Sequence, residues 1–191
     1  MTQALIDFSR FFNTHILQGG IILGTTIAAV AIGYQFPPAA VILDKILLRI
    51  PIIGKVLRLS GTTLFSRSLS MLLDAGVPMI AALDTCGSLM KNKAIVARVE
   101  LARKSVLAGN TLTRPLAAGH EFLPLLSRMV AVGEETGTLS DVLTKVANFH
   151  EKQLQSYVKS MSQMIEPVMT VIVGTMVGFV YLAFFMAIYS F

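Results

Sequence analysis

Apolar and polar positions divide the chain into two uncharged ends and a mixed middle. After Pro167 no residue carries a formal charge, so Val168 to Phe191 forms an uncharged run of 24 residues. At 1.5 Å of rise per residue, a helix of that length crosses a hydrocarbon core of about 30 Å. A second uncharged run extends from Phe11 to Leu43, His15 aside, with an apolar heart at Ile16–Phe36. Pro37-Pro38 closes it, because proline can neither donate to a helix ladder nor let its predecessor stay helical, so the first span is expected to end near Gln35. The run is too long, and the first ten residues too poor in basic charge, for a cleavable signal peptide.

The middle shows helical spacing broken by turn residues. Leu64, Phe65, Leu69, Leu72 and Leu73 mark one face of a helix over Leu59–Ala75, ended by Gly76-Val77-Pro78. Further helices are expected over Met79–Met90, over Lys93–Ala108 behind an Asn92 cap, over Leu112–Ala118, and over Leu125–Glu135 between Pro124 and Gly137. Ser140 or Thr138 can cap the last helix, whose first turn holds Asp141. No alternation of period two appears, so the fold class is all-α: a six-helix antiparallel cytoplasmic bundle between two transmembrane helices.

The expected organisation is a flank and first span at 1–38, a juxtamembrane segment at 39–58, the bundle at 59–163 and a second span at 164–191. The juxtamembrane segment combines a surface-lying amphipathic helix, Ala39–Ile50, marked by Asp44, Lys45 and Arg49, with a Pro51–Lys55 linker. Asp141–Glu166 can run into the membrane as one helix, with Pro167 at the interface or as a kink.

Charge then sets orientation. Fifteen of the 16 Lys and Arg residues lie between positions 44 and 166, and Arg10 alone stands outside. The positive-inside rule puts the bundle in the cytoplasm. The net charge of +5 comes without a basic run or Trp, so a nucleic-acid platform is not indicated. The single Cys86 excludes an internal disulfide and fits a reducing compartment.

Candidate chemistry is sparse. Glu134 and Glu135 in the stretch Gly133–Gly137 are adjacent on a helix and point about 100° apart, so they do not converge on one substrate. His120-Glu121 and His150-Glu151 lack the second His four residues on that zinc ligation needs, and no phosphate-binding loop is present. Cys86 reads as a packed core thiol. Glu166 stands at the mouth of the last span, where its depth decides between an interface role and a polar contact with another span. Gly174 and Gly178 form a small-x-x-x-small step through which a second helix can approach, and Gly20 and Gly24 repeat it on the first span.

Several stretches, in order, resemble the inner-membrane platform proteins of type II secretion and type IV pilus machines, the GspF/PilC family. They are Pro51–Lys55, Phe65–Leu69, Leu72–Pro78, Ala81–Leu83, then Gly109, Leu112 and Leu116, then Met129–Leu139, and Glu166-Pro167 before the glycine-containing apolar run. The resemblance implies residence in the bacterial inner membrane, a homo-oligomer, no catalysis and no cofactor or metal. The implied partners are a hexameric assembly ATPase, pilin or pseudopilin subunits and other inner-membrane assembly proteins, besides the lipid bilayer. Members usually carry two copies of the bundle, and this chain carries the second one with its flanking spans. The expected interaction residues are Gly76, Pro78, Gly133, Glu134, Gly137, Glu166, Pro167, Gly174 and Gly178. On this reading Glu134→Ala leaves the fold intact and lowers assembly. A membrane-anchored enzyme using Glu134, Glu135 or His150 is the first rival. A small transporter or channel subunit is the second, with Thr25, Thr26 and Thr175 as its only clear mid-span polar groups.

Overall fold

The computed structural model describes Thr25, residues 37–51 and residues 53–189, so the expected first span, with Gly20 and Gly24, lies outside the described residues. Among these residues there are seven helices: α1 (Pro37–Arg49), α2 (Ile53–Asp74), α3 (Met79–Leu89), α4 (Lys93–Leu107), α5 (Thr113–Ala117), α6 (Pro124–Thr136) and α7 (Leu139–Tyr189). The all-α class is borne out.

The corners are where the turn residues put them. Gly76 ends α2 and Gly109 follows α4, each at φ +76°, and Gly137 ends α6 at φ +71°. Behind Gly76, Val77 N–H reaches back to Leu72 O at 2.9 Å and Gly76 N–H to Leu73 O at 3.0 Å. Those bonds satisfy carbonyls that a helix end would otherwise leave orphaned. Asn92 caps α4 as expected, accepting from the Ala94 and Ile95 amides.

The core joins Phe65 and Leu69 of α2, Leu83 and Cys86 of α3, Val99 and Ala102 of α4, Leu116 of α5, Leu126 and Val130 of α6, and Leu143 and Val146 of α7. Phe65 and Phe122 sit with ring centroids 4.9 Å apart at its centre. Burial pushes the Cys86 thiol up to about 11, so it stays protonated and packs as a small hydrophobe.

Two elements differ from the sequence reading. Helix α2 starts at Ile53, six residues earlier than expected, so it runs through the linker and across position 58. The reason is Gly54: a Cβ there would strike the Leu48 carbonyl, so only glycine lets the α1 backbone turn directly into α2. Helix α1 is docked rather than merely amphipathic. Ala40, Asp44 and Leu48 are buried, and an Asp44 carboxylate oxygen accepts from the Lys93 amide at 2.6 Å, joining Asn92 in satisfying the first turn of α4.

Helix α7 is 51 residues long, about 77 Å at 1.5 Å per residue. Its first three turns bury Val142, Leu143, Val146, Ala147 and His150 against the bundle. It then leaves the bundle and continues through Pro167, whose missing N–H leaves the Gln163 carbonyl without its donor. Every side chain described from Val158 to Phe185 is exposed within the chain, and no part of the most apolar window is buried. Length and composition make it a candidate membrane span.

Candidate functional site

The sequence-derived residues fall into two groups, one at the start of α7 and one beyond its midpoint. The first gathers where α2, α6 and α7 meet. Gly76 and Pro78 form the α2–α3 corner, and Gly133, Glu134 and Gly137 form the α6–α7 corner. Ser140 ties them together: its hydroxyl reaches the Ser70 carbonyl at 3.3 Å and the Asp74 carboxylate, bridging α7 to the end of α2 instead of capping its own helix.

Each residue of this group has a structural task. Gly133 is buried in α6, and a Cβ on it would lie 2.9 Å from Leu139 Cα, so it sets how closely α7 returns past α6. Gly137 supplies the left-handed conformation that any other L-residue adopts at a cost of roughly 1 kcal/mol. Glu134 is half-buried and turned inward. One carboxylate oxygen accepts from the Leu112 amide at 2.6 Å. The other accepts from the Thr113 amide at 3.1 Å and the Thr113 hydroxyl at 2.6 Å. Helix α5 has no side-chain cap of its own, so Glu134 serves as a cap delivered from α6. Glu135 beside it is exposed. The adjacent carboxylates therefore diverge, as their spacing requires, and Glu134→Ala tests a cap as well as a surface.

The second group lies about 40 Å further along α7 at 1.5 Å per residue. Glu166 and Gly174 share a shallow groove with Met169, Thr170 and Val173. An added Cβ at Gly174 or Gly178 meets nothing within 4 Å, so neither glycine is needed for packing against the described residues. Thr170 and Thr175 hydroxyls bond back to the Glu166 and Val171 carbonyls at 2.9 and 2.7 Å, which satisfies them within the helix.

Between the groups, the exit of α7 from the bundle is marked by Lys55, whose ammonium lies 4.4 Å from the Tyr157 ring centroid. That contact sets the α1–α2 corner beside α7, ten residues before Pro167. His150 is buried. Nδ1 lies 3.0 Å from the Val146 carbonyl, and burial holds its pKa below the usual histidine range despite that bond. The cluster His120-Glu121 is likewise absorbed: Glu121 is buried and pairs with Arg98, Nε to Oε2 at 3.0 Å, while Arg98 also donates to the Pro115 carbonyl at 3.3 Å. Burial alone would raise the Glu121 pKa, but the Arg98 hydrogen bond, the Glu121 backbone amide and the charges of Arg98 and Lys45 together hold it below the usual carboxylate value. Among the described residues, no group of three or more His, Cys, Asp or Glu is placed to hold a metal ion.

The Arg98–Glu121 clasp and the Asp44 cap are missed by sequence reading. Their partners stand 23 and 49 positions apart, beyond any helical period.

Comparison with known proteins agrees on one family. Residues 65–187 match the family described as type II secretion system (T2SS), protein F. The chain is 35% identical over 159 residues to the type IV pilus assembly protein PilC of Thermus thermophilus, covering 82% of this chain and 39% of that protein. It is 28% identical over 189 residues to PilC of Myxococcus xanthus, covering 99% of this chain and 45% of that one. It is 33% identical over 144 residues to the type II secretion system protein F of Pseudomonas aeruginosa, covering 75% and 36%. The chain thus spans less than half the length of each of these relatives.

Proposed function

Since the chain belongs to the type II secretion system protein F family, we propose that it acts as a non-enzymatic inner-membrane platform in pilus or pseudopilus assembly. In this reading the bundle stands in the cytoplasm and receives motion from an assembly ATPase, and the apolar part of α7 passes that motion to pilin or pseudopilin subunits and to other copies of the chain. The observation that supports it is the continuity of α7. One helix carries the core positions Val142 to His150 and the exposed apolar segment, with no break between them. A tilt imposed at the α2–α6–α7 corner is therefore transmitted along about 40 Å of helix. The exposed Glu135 beside that corner, and the open Gly174/Gly178 face, are the contact points this reading favours.

The test is in-membrane crosslinking in a Cys86→Ala background, with Glu135→Cys at the corner and Gly178→Cys in the apolar segment. The platform reading expects Glu135→Cys to crosslink to the assembly ATPase and Gly178→Cys to crosslink to a pilin or to a second copy. Labelling of Glu135→Cys by an impermeant reagent from outside intact cells inverts the topology and sinks the reading.

A further inference from the structure

A basic cavity of about 510 Å³ lies between α1, α2, α4 and the loop after α5, away from both groups above. Four cations line it, Lys45, Arg49, Arg58 and Arg98, against one carboxylate, Glu121. Glu121 is already paired to Arg98. Arg58 donates through Nε to the Gly54 carbonyl at 3.2 Å, and among the described residues neither it nor Lys45 nor Arg49 has a carboxylate within 4.0 Å. The wall is built rather than accidental: a Cβ on Gly119 would collide with both Glu121 and Arg98, so glycine leaves the clasp room to form. An uncompensated cluster of this kind calls for an anion.

Its position says which one. In α1 three rows run side by side: the docked row Ala40, Asp44, Leu48; the cationic row Lys45, Arg49; and an outward apolar row, Ile42 at 60% exposure and Ile46 at 53%. The cations thus stand between the bundle and an apolar stripe that has no partner among the described residues. Helix α1 begins at Pro37, where the apolar heart Ile16–Phe36 of the sequence ends. The Lys55–Tyr157 contact independently sets the α1–α2 corner next to the stretch of α7 that leads into its apolar segment. An interfacial helix that sinks its apolar row into the acyl boundary holds a neighbouring cationic row at headgroup depth.

We propose that this cavity binds the phosphate-bearing headgroup of an anionic phospholipid, fixing the bundle's height and tilt on the membrane. The inference rests on the membrane reading of the two uncharged runs but needs no assembly partner. The phosphate would lie among Lys45, Arg49 and Arg58, with Arg98 positioned by Glu121 at the inner wall, while the acyl chains run along Ile42 and Ile46.

The full chain, purified in neutral detergent, is titrated with phosphatidylglycerol or phosphatidylcholine, and bound lipid is read by native mass spectrometry. Phosphatidylglycerol should bind at least tenfold more tightly, with the preference shrinking as salt rises. Each cation beside an anionic surface is worth roughly fivefold in binding, so Lys45→Ala with Arg49→Ala should cost roughly 25-fold. Both side chains are exposed, so the fold should survive, and unchanged helicity by circular dichroism confirms it. Lys91→Ala with Arg128→Ala removes the same charge outside the cavity and should change binding little. Equal loss in the two double variants, or no preference for phosphatidylglycerol, overturns the proposal. Displacement of the lipid by millimolar inorganic phosphate would assign the cavity to a soluble phosphate and also overturn it. Because no partner is present in this assay, its failure is separate from a failure of the crosslinking test.

Discussion

The two halves of α7 make opposite use of apolar side chains. The first half is mixed in composition, yet Val142, Leu143, Val146 and Ala147 are all at most 6% exposed. The second half is almost wholly apolar, yet Val171, Met176 and Phe179 are 68%, 72% and 63% exposed. Composition alone therefore does not report burial. The first half needs only a stripe, because one face meets a core and the other meets water. The second half has no stripe, and a run of bare apolar surface that long is stable only in a lipid or protein environment that the described residues do not supply.

The largest expected effect separates these halves directly. Phe65→Ala empties the centre of the core and should cost about 3–5 kcal/mol. Phe179→Ala removes a ring of the same size from the apolar segment and should leave the bundle's stability within about 0.5 kcal/mol. Denaturant unfolding in detergent micelles, followed by a probe in the bundle, measures both. Equal losses would mean that the segment folds back on the bundle, and the contrast between the halves would collapse.

Next in size is Gly54→Ala. The added methyl meets backbone, the Leu48 carbonyl, which cannot rotate away as a side chain can. A loss of about 2–3 kcal/mol is expected, at the upper range for overpacking, together with faster amide exchange in α1. Gly174→Ala, in open space, should cost nothing by the same measurement.

Much of this was legible in the sequence, and the reasons are local. Glycines at 76, 109 and 137 and prolines at 78 and 124 announce the corners, because few other residues fit those backbone positions. The internal roles were not legible. Pro51 and Gly54 look like a linker, and only the approach of the α1 carbonyls shows why glycine stands inside the first turn of α2. Glu134 looks like a surface carboxylate because α5, five residues long, carries too little periodicity to reveal that it lacks a cap. Asp44 looks like a polar mark on a membrane-lying helix until its partner, 49 residues on, is in view.

Glu134 and Glu135 extend the contrast to a single pair of neighbours. Glu134→Ala deprives the Leu112 and Thr113 amides and the Thr113 hydroxyl of their acceptor, and should cost about 1–2 kcal/mol, the usual value of a lost cap. Glu135→Ala, on an exposed side chain, should move stability by less than about 0.5 kcal/mol. If Glu135→Ala alone blocks assembly at full stability, the corner is a contact surface. If only Glu134→Ala acts, and a stabilising substitution elsewhere restores assembly, the corner matters through its fold.

The smallest effect is a matter of pH, and it again divides the bundle from the apolar segment, which has one carboxylate at its mouth and no histidine. His150 is neutral when folded, and burial lowers its pKa from 6.5. Its unfolded form binds a proton more readily, so stability is fully present above about pH 6.5 and falls as pH drops from there towards the folded value. Glu121, also lowered, acts in a separate, more acidic window: its contribution is complete above 4.5 and disappears as pH falls through its folded value. Unfolding midpoints measured from pH 8 to pH 3 should therefore show two declines. His150→Phe should abolish the first and spare the second. Glu121→Gln should shrink the second, to which the Arg103-paired Glu100 also contributes, and spare the first, at some cost in stability at neutral pH because Arg98 loses its charged partner. A first decline that survives His150→Phe would place the responsible proton elsewhere and remove His150 from the account.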